Sequence, residues 1–382
     1  MSLFEISAAA GGLAAEPASI RVTYFQRQPP ASAFSIERVF AAVRQALPRD
    51  ILPEVRICPF TSEGVVKRLL NLLAAPGHAS GINHITGDVH YLALALPGRR
   101  TILTVHDTVG PHCSTGWKRL ALVLLWYRLP LRQVAAVTVV SEFSRRELLR
   151  FSRVSPQKVQ VIHDPLPPGF APYPKPFNTA RPTLLQVGTR PSKNLGRVAE
   201  SMRGLNCHLD IMGGVGESDR RLLESCSISY SAHERLTDEE VVERYRKCDM
   251  VVFASTYEGF GMPIIEGNAV GRPVLSSNIC SMPEVAGGAA CLVDPFDSSA
   301  IRQGIQRIMH DRAYREQLIA AGFRNVQRFR PERIAAQYAR LYRAVRRGRA
   351  DPSEDGAAAK TGVAAIAKVA RPGMAAAQAT YE

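Results

Sequence analysis

The 382-residue sequence lacks several features that would place it in common classes of protein. Its seven cysteines are odd in number, scattered and without a C-x-x-C pair, so the sequence indicates neither a disulfide framework nor a zinc site. A reducing, cytoplasmic location is therefore predicted. The longest apolar run, from Leu120 to Tyr127, is too short to span a bilayer, so we expect any membrane contact to be peripheral. The first residues have neither the basic region nor the apolar segment of a signal peptide.

Acidic residues are scarce, with 34 Asp and Glu against 48 Lys and Arg and a net charge of +14. This balance favours an anionic partner, which could be nucleic acid, the phosphates of a nucleotide or an acidic membrane surface. The basic residues are not interleaved with a platform of stacking aromatics, which argues against nucleic acid. No Asp-x-Asp element follows a predicted strand, and no standard zinc spacing is present, so we expect no metal ion and no cofactor. Packing or surface roles are therefore expected for His84, Asp88, His90 and His112.

Short β-favouring runs alternate with helical patterns along the first half of the chain. Residues 20–25, 54–60, 82–86 and 101–105 are predicted strands, and helical spacing separates several of them. Seven prolines between Pro165 and Pro182 then indicate a semi-rigid linker, after which the alternation begins again. The pattern predicts an α/β protein with two doubly wound parallel sheets.

The most informative stretch runs from Asp249 to Val293. It begins with a predicted strand at residues 250–254, continues through a glycine-rich loop, and leads into a predicted helix at residues 263–270. The N-terminus of a helix that follows a parallel strand is a natural seat for phosphate. Glu258 and Glu266 frame that seat, and their carboxylates would accept hydrogen bonds from hydroxyls, so the stretch suits a sugar nucleotide. Alternatively, both acids only complement the helix dipole.

This stretch resembles the E-x7-E region of the family 4 glycosyltransferases, through EGFGMPIIEGNAVGRPV and the later SMPEVAGGAACLVDP. The resemblance implies the GT-B architecture, in which two Rossmann-like domains face a cleft and a C-terminal helix crosses back to the first domain. It also implies that Glu258 contacts the donor sugar and that Glu266 binds the ribose hydroxyls. The remaining donor-binding residues that it implies in this stretch are Phe260, Gly261, Met262 and Pro263.

A second strand, loop and helix pattern opens the second half, at TLLQVGTRPSKNLGRVAESM. Gly188 follows the predicted strand, and Arg190 and Lys193 supply positive charge in the loop before the helix, an arrangement that suits phosphate. The resemblance implies that Lys193 neutralises the donor diphosphate, with Arg190 as its associated arginine. The alternative is a solvated basic loop.

His106 and Asp107 follow the predicted strand at residues 101–105, at the edge where open α/β sheets bind ligands. The resemblance implies that His106 reaches across the cleft to the donor sugar, whereas a satisfied structural histidine is the alternative. Asp107 would orient that imidazole or bind an acceptor hydroxyl. Residues 25–30 stand in place of the glycine-rich loop that usually follows the first strand in the family.

Combined with the resemblance, the pattern divides the chain into six parts. These are a flexible N-terminus at 1–18, an acceptor domain at 19–165, a linker at 166–181, a donor-binding domain at 182–330, a crossover helix at 331–348 and a disordered tail at 349–382. Within the acceptor domain, the Leu120–Tyr127 run has aromatic and basic flanks. It fits either a core helix with solvated ends or a helix that lies on a membrane.

The function expected from these features is that of a retaining glycosyltransferase. It would move a sugar from a nucleotide-diphosphate donor to a hydroxyl of a saccharide or lipid-linked acceptor in polysaccharide or lipopolysaccharide assembly, in the cytoplasm or peripherally at an anionic membrane surface on its inner face. The alternatives are a sugar-nucleotide epimerase with the same fold and a non-catalytic protein that binds sugar nucleotides. The sequence does not distinguish the sugar, the base or the acceptor.

Overall fold

The structure is a computed structural model that describes residues 19–28, 35–79, 81–108 and 116–348. The segments predicted to be flexible or disordered, 1–18 and 349–382, lie outside the described residues, as does His112. None of the helices within the described ranges is both long and apolar enough to cross a membrane.

The first sheet has six parallel strands in the order β2-β1-β3-β4-β5-β6. Its strands are β1 (Ile20–Gln26), β2 (Ile51–Ile57), β3 (Ile82–Ile85), β4 (Thr101–Val105), β5 (Ala136–Val139) and β6 (Val159–Val161). The helices of this half are α1 (Ser35–Gln45), α2 (Val65–Ala74), α3 (Gly116–Leu122), α4 (Leu129–Gln133) and α5 (Glu142–Ser152), with a π-helical turn at Val123–Arg128 between α3 and α4. Short 3₁₀ turns lie at Ala75–His78, His90–Leu94, Gly98–Arg100 and Pro156–Lys158.

The second sheet also has six parallel strands, in the order β12-β11-β10-β7-β8-β9. Its strands are β7 (Thr183–Val187), β8 (His208–Met212), β9 (Tyr230–His233), β10 (Met250–Phe253), β11 (Val274–Ser277) and β12 (Cys291–Val293). Its helices are α6 (Leu195–Met202), α7 (Glu217–Ser225), α8 (Asp238–Lys247), α9 (Met262–Val270), α10 (Met282–Ala286), α11 (Ser298–His310), α12 (Arg312–Asn325) and α13 (Pro331–Arg346), with 3₁₀ turns at Pro191–Lys193 and Val326–Phe329. The predicted α/β class with two parallel sheets is confirmed.

The strand orders locate the ligand-binding edges. In an open parallel sheet, a crevice forms where successive connections leave to opposite faces, just beyond the carboxyl ends of the two strands involved. That switch lies between β1 and β3 in the first sheet and between β7 and β10 in the second. The loops after β7 and β10 are the two loops in which the sequence places the donor-binding residues.

The second strand is shifted from its predicted position, because it spans Ile51–Ile57 and not residues 54–60. Pro53 lies inside it, and proline is unfavourable in the interior of a sheet because it lacks the N–H that the ladder needs. The strand is at the edge of the sheet, however, where β1 is its single neighbour. The sequence does not show which strand will be at the edge. The predicted strand therefore begins after Pro53, whereas the observed strand includes it.

Residues 162–182 connect the two sheets without a helix or strand, and they lie along the second half of the chain. The backbone N–H of Leu166 donates to Phe329 O at 2.8 Å, and that of Tyr173 donates to Val270 O at 3.2 Å. Asp249, which is 4% exposed, accepts from the N–H of Asn178 at 3.0 Å. The proline-rich connection is therefore attached to the second half of the chain at several points.

The last helix, α13, returns to the first sheet and joins a buried polar network there. The Tyr342 hydroxyl lies 2.8 Å from the Tyr24 hydroxyl on β1 and 2.8 Å from Nδ1 of His84 on β3. Nε2 of His84 in turn lies 2.8 Å from Oγ1 of Thr104 on β4. Burial lowers the pKa of His84 to about 3, so this ring is neutral and takes a packing role.

We predict that Tyr342→Phe lowers the free energy of unfolding by about 1–3 kcal/mol, because two buried polar groups lose a hydrogen-bond partner. Equilibrium urea unfolding measures the change. Tyr173→Phe is the matched control, since Tyr173 is 49% exposed and the same substitution there should change little. Equal denaturation midpoints for Tyr342→Phe and the wild type would contradict the role given to the network.

Candidate active site

The loop between β10 and α9 is held through three consecutive backbone carbonyls. The Ser281 hydroxyl lies 2.9 Å from Glu258 O and 2.6 Å from Phe260 O, and it donates its one proton to either. The carbonyl of Gly259 between them accepts from the hydroxyls of Ser141 and Ser144, at 2.7 and 3.0 Å. Ser281 belongs to the second half of the chain and the other two serines to the first, so both domains fix the loop.

Gly259 allows the two domains to meet at this loop. A Cβ at this position would lie 2.2 Å from the carbonyl oxygen of His106, closer than any side chain tolerates. Two residues later, Gly261 has φ of 114° and precedes the first turn of α9, a backbone conformation that favours glycine. The loop therefore brings the end of β10 directly against the end of β4.

Lys193 and Glu258, which the sequence assigns to diphosphate and sugar, are in direct contact. Nζ of Lys193 lies 2.6 Å from Oε1 of Glu258, and both side chains are largely buried. The same ammonium lies 5.0 Å from the centre of the Phe253 ring. The two loops at the switch point of the second sheet are thus joined by an ion pair.

Two residues that sequence reasoning missed hold the Lys193 loop. The Gln186 side chain donates to the carbonyls of Gly188 and Lys193, at 3.2 and 2.9 Å. Asn194 has φ of 62°, and its amide donates to Ala254 O and Pro295 O at 2.9 and 2.7 Å. The sequence offered a signal for each of them. Gln186 is an amide within a predicted buried strand, and Asn194 is an asparagine directly before a predicted helix.

Gly188 and Arg190 complete this loop. Gly188 has φ of 86°, and a Cβ there would approach the Lys193 side chain to 3.1 Å. Arg190 is exposed, and its carbonyl accepts from the N–H of Lys193 at 2.7 Å. The loop therefore presents one largely buried cation and one exposed cation beside the N-terminus of α6.

Glu266 lies one turn into α9 and accepts a hydrogen bond from the Tyr245 hydroxyl on α8. Burial raises the pKa of the Glu266 carboxyl to about 7, and the hydrogen bond from Tyr245 acts in the opposite direction. Tyr245 is fully buried and was not anticipated from the sequence. Its hydroxyl orients the carboxylate predicted to bind ribose.

The other predicted donor residues contribute mainly through their backbone. The Phe260 ring is buried and packs on the rings of His163 and Phe329, with centroids 6.0 and 5.6 Å away. Pro263 is buried in the first turn of α9, and Met262 is half-buried between the cores of the two domains. A donor at this loop would meet main-chain atoms more than the Phe260 side chain.

His106 lies at the end of β4 with both ring nitrogens directed at protein groups. Nε2 is 3.2 Å from Thr86 O, and Nδ1 is 3.9 Å from a carboxylate oxygen of Asp164. Burial lowers the pKa of His106 to about 4, so the neutral ring carries its proton on Nε2 and leaves Nδ1 unprotonated. These contacts do not decide between the sugar contact predicted for His106 and a purely structural role, so both stay predictions. Burial also raises the pKa of Asp164, which the sequence did not single out, to about 7.

A cavity of about 290 Å³ opens beside His106 and Asp107 at the switch point of the first sheet. The Trp126 indole donates to Asp88 at 2.9 Å, and the Arg68 guanidinium lies 4.9 Å from the centre of the indole ring. An aromatic face beside acids and guanidinium groups can bind the rings and hydroxyls of a saccharide. The cavity is lined by Arg27, Ile36, Arg68, Gly87, Asp88, His90, His106, Asp107, Leu122, Trp126 and Tyr127.

No group of three or more His, Cys, Asp or Glu suited to a metal ion occurs in the part of the chain that the structure describes. The candidate site therefore consists of cations, carboxylates, one imidazole and backbone amides. The expectation that no metal or cofactor is used stays a prediction.

Two Rossmann-like domains that meet at the carboxyl edges of their sheets, joined by a helix that crosses back, define the GT-B class of protein. Family models agree with this assignment, since "Glycosyltransferase Family 4" matches residues 18–168 and "Glycosyl transferases group 1" matches residues 173–325. The chain belongs to the family 4 glycosyltransferases, and the predicted family is confirmed.

Several known proteins are similar to this chain. O-antigen chain mannosyltransferase B of Escherichia coli is 29% identical over 54% of this chain and 60% of its own length, so the match spans less than two thirds of that relative. MMP alpha-(1->4)-mannosyltransferase of Mycolicibacterium hassiacum is 25% identical over 66% of this chain and 67% of its own. The structure of Anabaena Alr3699/HepE in complex with UDP and glucose has a TM-score of 0.66 at 15% identity, covering 85% of this chain and 100% of that one, which supports the fold.

We predict that the stability of Glu266→Gln relative to the wild type rises with pH. The raised pKa means that the folded wild type binds a proton between about pH 4.5 and 7 that the unfolded chain has released. The contribution of Glu266 to stability is therefore present below about pH 4.5 and is lost as the pH rises through about 7. Glutamine does not titrate, so the melting temperature of Glu266→Gln should rise relative to that of the wild type as the pH increases across this range.

Melting curves in buffers across this pH range measure the effect. Glu224→Gln, at an exposed position on α7, is the matched control for the loss of one carboxyl group. A difference between Glu266→Gln and the wild type that stays constant with pH would contradict the raised pKa of Glu266.

We also predict that Gly259→Ala forces the two domains apart. The added methyl group cannot fit 2.2 Å from the His106 carbonyl, so the loop must move and the contacts of Gly259 O with Ser141 and Ser144 should weaken. We expect a larger radius of gyration by small-angle scattering and faster proteolysis between residues 162 and 182. Gly77→Ala is the control, because a Cβ there meets nothing within 4 Å. A Gly259→Ala variant with wild-type scattering would contradict the tight approach.

Proposed function

We propose that this protein transfers a hexosyl group, with mannosyl as the favoured candidate, from a nucleotide-diphosphate sugar to a hydroxyl of a saccharide or lipid-linked acceptor. The transfer retains the configuration of the anomeric carbon. The observation that carries the proposal is the Lys193–Glu258 ion pair at the switch point of the second sheet. A cation for phosphate and a carboxylate for sugar hydroxyls meet there within 2.6 Å. The resemblance to family 4 enzymes assigns these same roles to the two residues.

The ion pair implies an order of events when the donor binds. The diphosphate competes with Glu258 for the Lys193 ammonium, and its two phosphates offer more negative charge than one carboxylate does. Once Lys193 turns to the diphosphate, Glu258 is available to accept hydrogen bonds from the sugar. The N-terminal amides of α6 and α9 add fixed dipoles that favour the same phosphates.

Glu266 extends the donor site in the direction of the nucleoside. Tyr245 already donates to one of its carboxylate oxygens, and the other oxygen can accept from a ribose hydroxyl. The carboxyl must ionise to accept two such bonds, so donor binding should favour the charged form of a group whose pKa is raised to about 7. Ribose binding and proton release from Glu266 are therefore coupled in this proposal.

The chemical step exchanges one bond to the anomeric carbon for another. The bond between that carbon and the diphosphate oxygen breaks, and a bond to the acceptor oxygen forms on the same face of the sugar. The acceptor's proton passes to the departing phosphate oxygen, so no side-chain nucleophile is needed. Lys193, Arg190 and the backbone amides stabilise the charge that develops on the leaving group.

The acceptor would bind on the first sheet's side of the cleft, in the cavity beside His106 and Asp107. His106 then lies between this cavity and the donor loop, since its carbonyl touches Gly259. The names of the two mannosyltransferase relatives support a mannosyl donor, and the Anabaena complex with UDP and glucose supports a nucleotide donor. The name of the O-antigen relative supports a role in polysaccharide or lipopolysaccharide assembly. The proposed location, in the cytoplasm at the inner face of the membrane, is part of the same proposal.

We predict that nucleoside diphosphates raise the melting temperature of the wild type and that two substitutions separate binding from transfer. Lys193→Met should weaken diphosphate binding at least about tenfold, because it removes the buried cation. Glu258→Gln should leave diphosphate binding within a few-fold of the wild type and lower transfer about 100-fold or more, because the sugar loses its charged partner. Lys247→Met, on the exposed face of α8, and Glu224→Gln are the matched controls.

A thermal-shift panel of GDP, UDP and ADP with their sugars measures binding, and radiolabelled donors with cell lipids and oligosaccharides measure transfer. Conversion of the donor to its epimer without transfer would favour the epimerase alternative. Nucleotide binding with neither reaction would favour the non-catalytic alternative, and full transfer by Glu258→Gln would remove the role of that residue.

A further inference from the structure

The helix α2 exposes an apolar face that nothing in the described structure covers. Val65, Val66, Leu69, Leu70 and Leu73 recur at helical spacing, and Val66 and Leu73 are 70% and 79% exposed. Large apolar side chains that cluster on the surface of a monomer mark a place where something docks. The sequence analysis did not predict that this apolar face would be exposed.

A second helical segment, formed by α3, the π-helical turn and α4, exposes leucines as well. Leu120, Leu124, Leu125 and Leu129 all have more than a third of their surface exposed. On the same segment, Leu122, Trp126 and Tyr127 turn inward and line the cavity beside His106. The segment therefore has one side in the candidate acceptor site and another side in solvent.

The two helical segments meet at the rim of that cavity. The guanidinium of Arg68, on α2, lies 4.9 Å from the centre of the Trp126 ring on the other segment. Both residues line the cavity. The exposed leucines of the two segments thus flank a single opening.

Charge identifies the kind of partner that fits this surface. Neither segment contains an Asp or Glu, and Glu142 is the first acid after Asp107. The basic residues with described side chains in the two segments are Lys67, Arg68, Arg128 and Arg132. Apolar side chains that insert among acyl chains, beside basic residues that stay at the headgroups, are what an anionic lipid surface attracts. Glu63, just before α2, is the nearest acid in sequence to that helix.

We propose that α2 and the α3–α4 segment together dock on an anionic bilayer and hold the mouth of the cavity at its surface. A second copy of the chain fits less well, because neither segment has an acid that could pair with the basic residues of the same segments in the other copy. The inference that the docked cavity receives a lipid-linked acceptor rests on the proposed function. The docking itself does not depend on it.

Vesicle sedimentation with the full chain tests the docking without any sugar nucleotide. The vesicles are phosphatidylcholine alone and phosphatidylcholine mixed with phosphatidylglycerol, at low and high salt. We expect the wild type to pellet with the anionic vesicles and to bind less at high salt. Leu69→Ser/Leu73→Ser should bind these vesicles roughly tenfold more weakly, because two side chains no longer bury apolar surface in the lipid. Leu292→Ser is the control, since Leu292 is 38% exposed on β12 in the other domain.

Lys67→Gln is a second variant that leaves the apolar face intact. It should weaken binding to anionic vesicles about fivefold and leave binding to phosphatidylcholine unchanged. Failure of the wild type to pellet, or wild-type binding by Leu69→Ser/Leu73→Ser, would overturn the proposal. An equal loss of vesicle binding in Leu292→Ser would also overturn it. So would a wild type that does not bind vesicles but forms a dimer in sedimentation velocity, if Leu69→Ser/Leu73→Ser abolishes that dimer.

The thermal shift caused by nucleoside diphosphates is recorded on every variant. A retained shift shows that the donor domain of the docking variants is folded. It also keeps the two proposals apart, because a failed donor shift would count against the proposed function and leave the vesicle result standing.

Discussion

The three carbonyls at positions 258 to 260 impose the constraint on which the site depends. Ser281 holds the outer two from within the second domain, and Ser141 and Ser144 hold the middle one from the first. A peptide whose carbonyls are fixed has its N–H groups fixed as well, because the peptide unit is planar. The amides that would meet a donor phosphate are therefore oriented by contacts on the opposite side of the loop. The contact between the domains and the geometry of the candidate phosphate site are therefore linked through this one loop.

The Lys193–Glu258 pair fits this arrangement because neither charge is well placed without the other. Each side chain is about one fifth exposed, so both have lost much of their hydration, and an unpaired charge at that depth is costly. The ion pair offsets that cost while the site contains no donor. In the proposed function, a diphosphate that binds Lys193 would also remove the partner of Glu258 and so change its environment.

The parts of this site that follow from local sequence could be predicted, and the parts that depend on contact between the domains could not. The strand, glycine loop and helix around Glu258 are local, and β10 and α9 end within a residue of their predicted limits. Gly259 shows the opposite case. Its lack of a side chain looks like loop chemistry in the sequence, yet the structure requires it because His106, more than 150 residues earlier, passes 2.2 Å from where a Cβ would be. The loop contacts of the serines, Gln186 and Asn194 were missed for the same reason, since their partners are distant in sequence or are backbone atoms.

The two sheets also explain why the surface proposed to bind lipid is on the first domain. Each sheet opens a crevice at its own switch point, and the crevices face one another across the loop at Gly259. The second sheet's crevice is built from charged residues and buried main chain, so it suits a water-soluble donor. The first sheet's crevice is bordered by α2 and the α3–α4 segment, whose outer sides are apolar and without acids. An acceptor that arrives from a membrane and a donor that arrives from water would then enter the cleft from opposite domains, without either having to cross the other's path. The acceptor oxygen would still meet the face of the sugar that the diphosphate leaves.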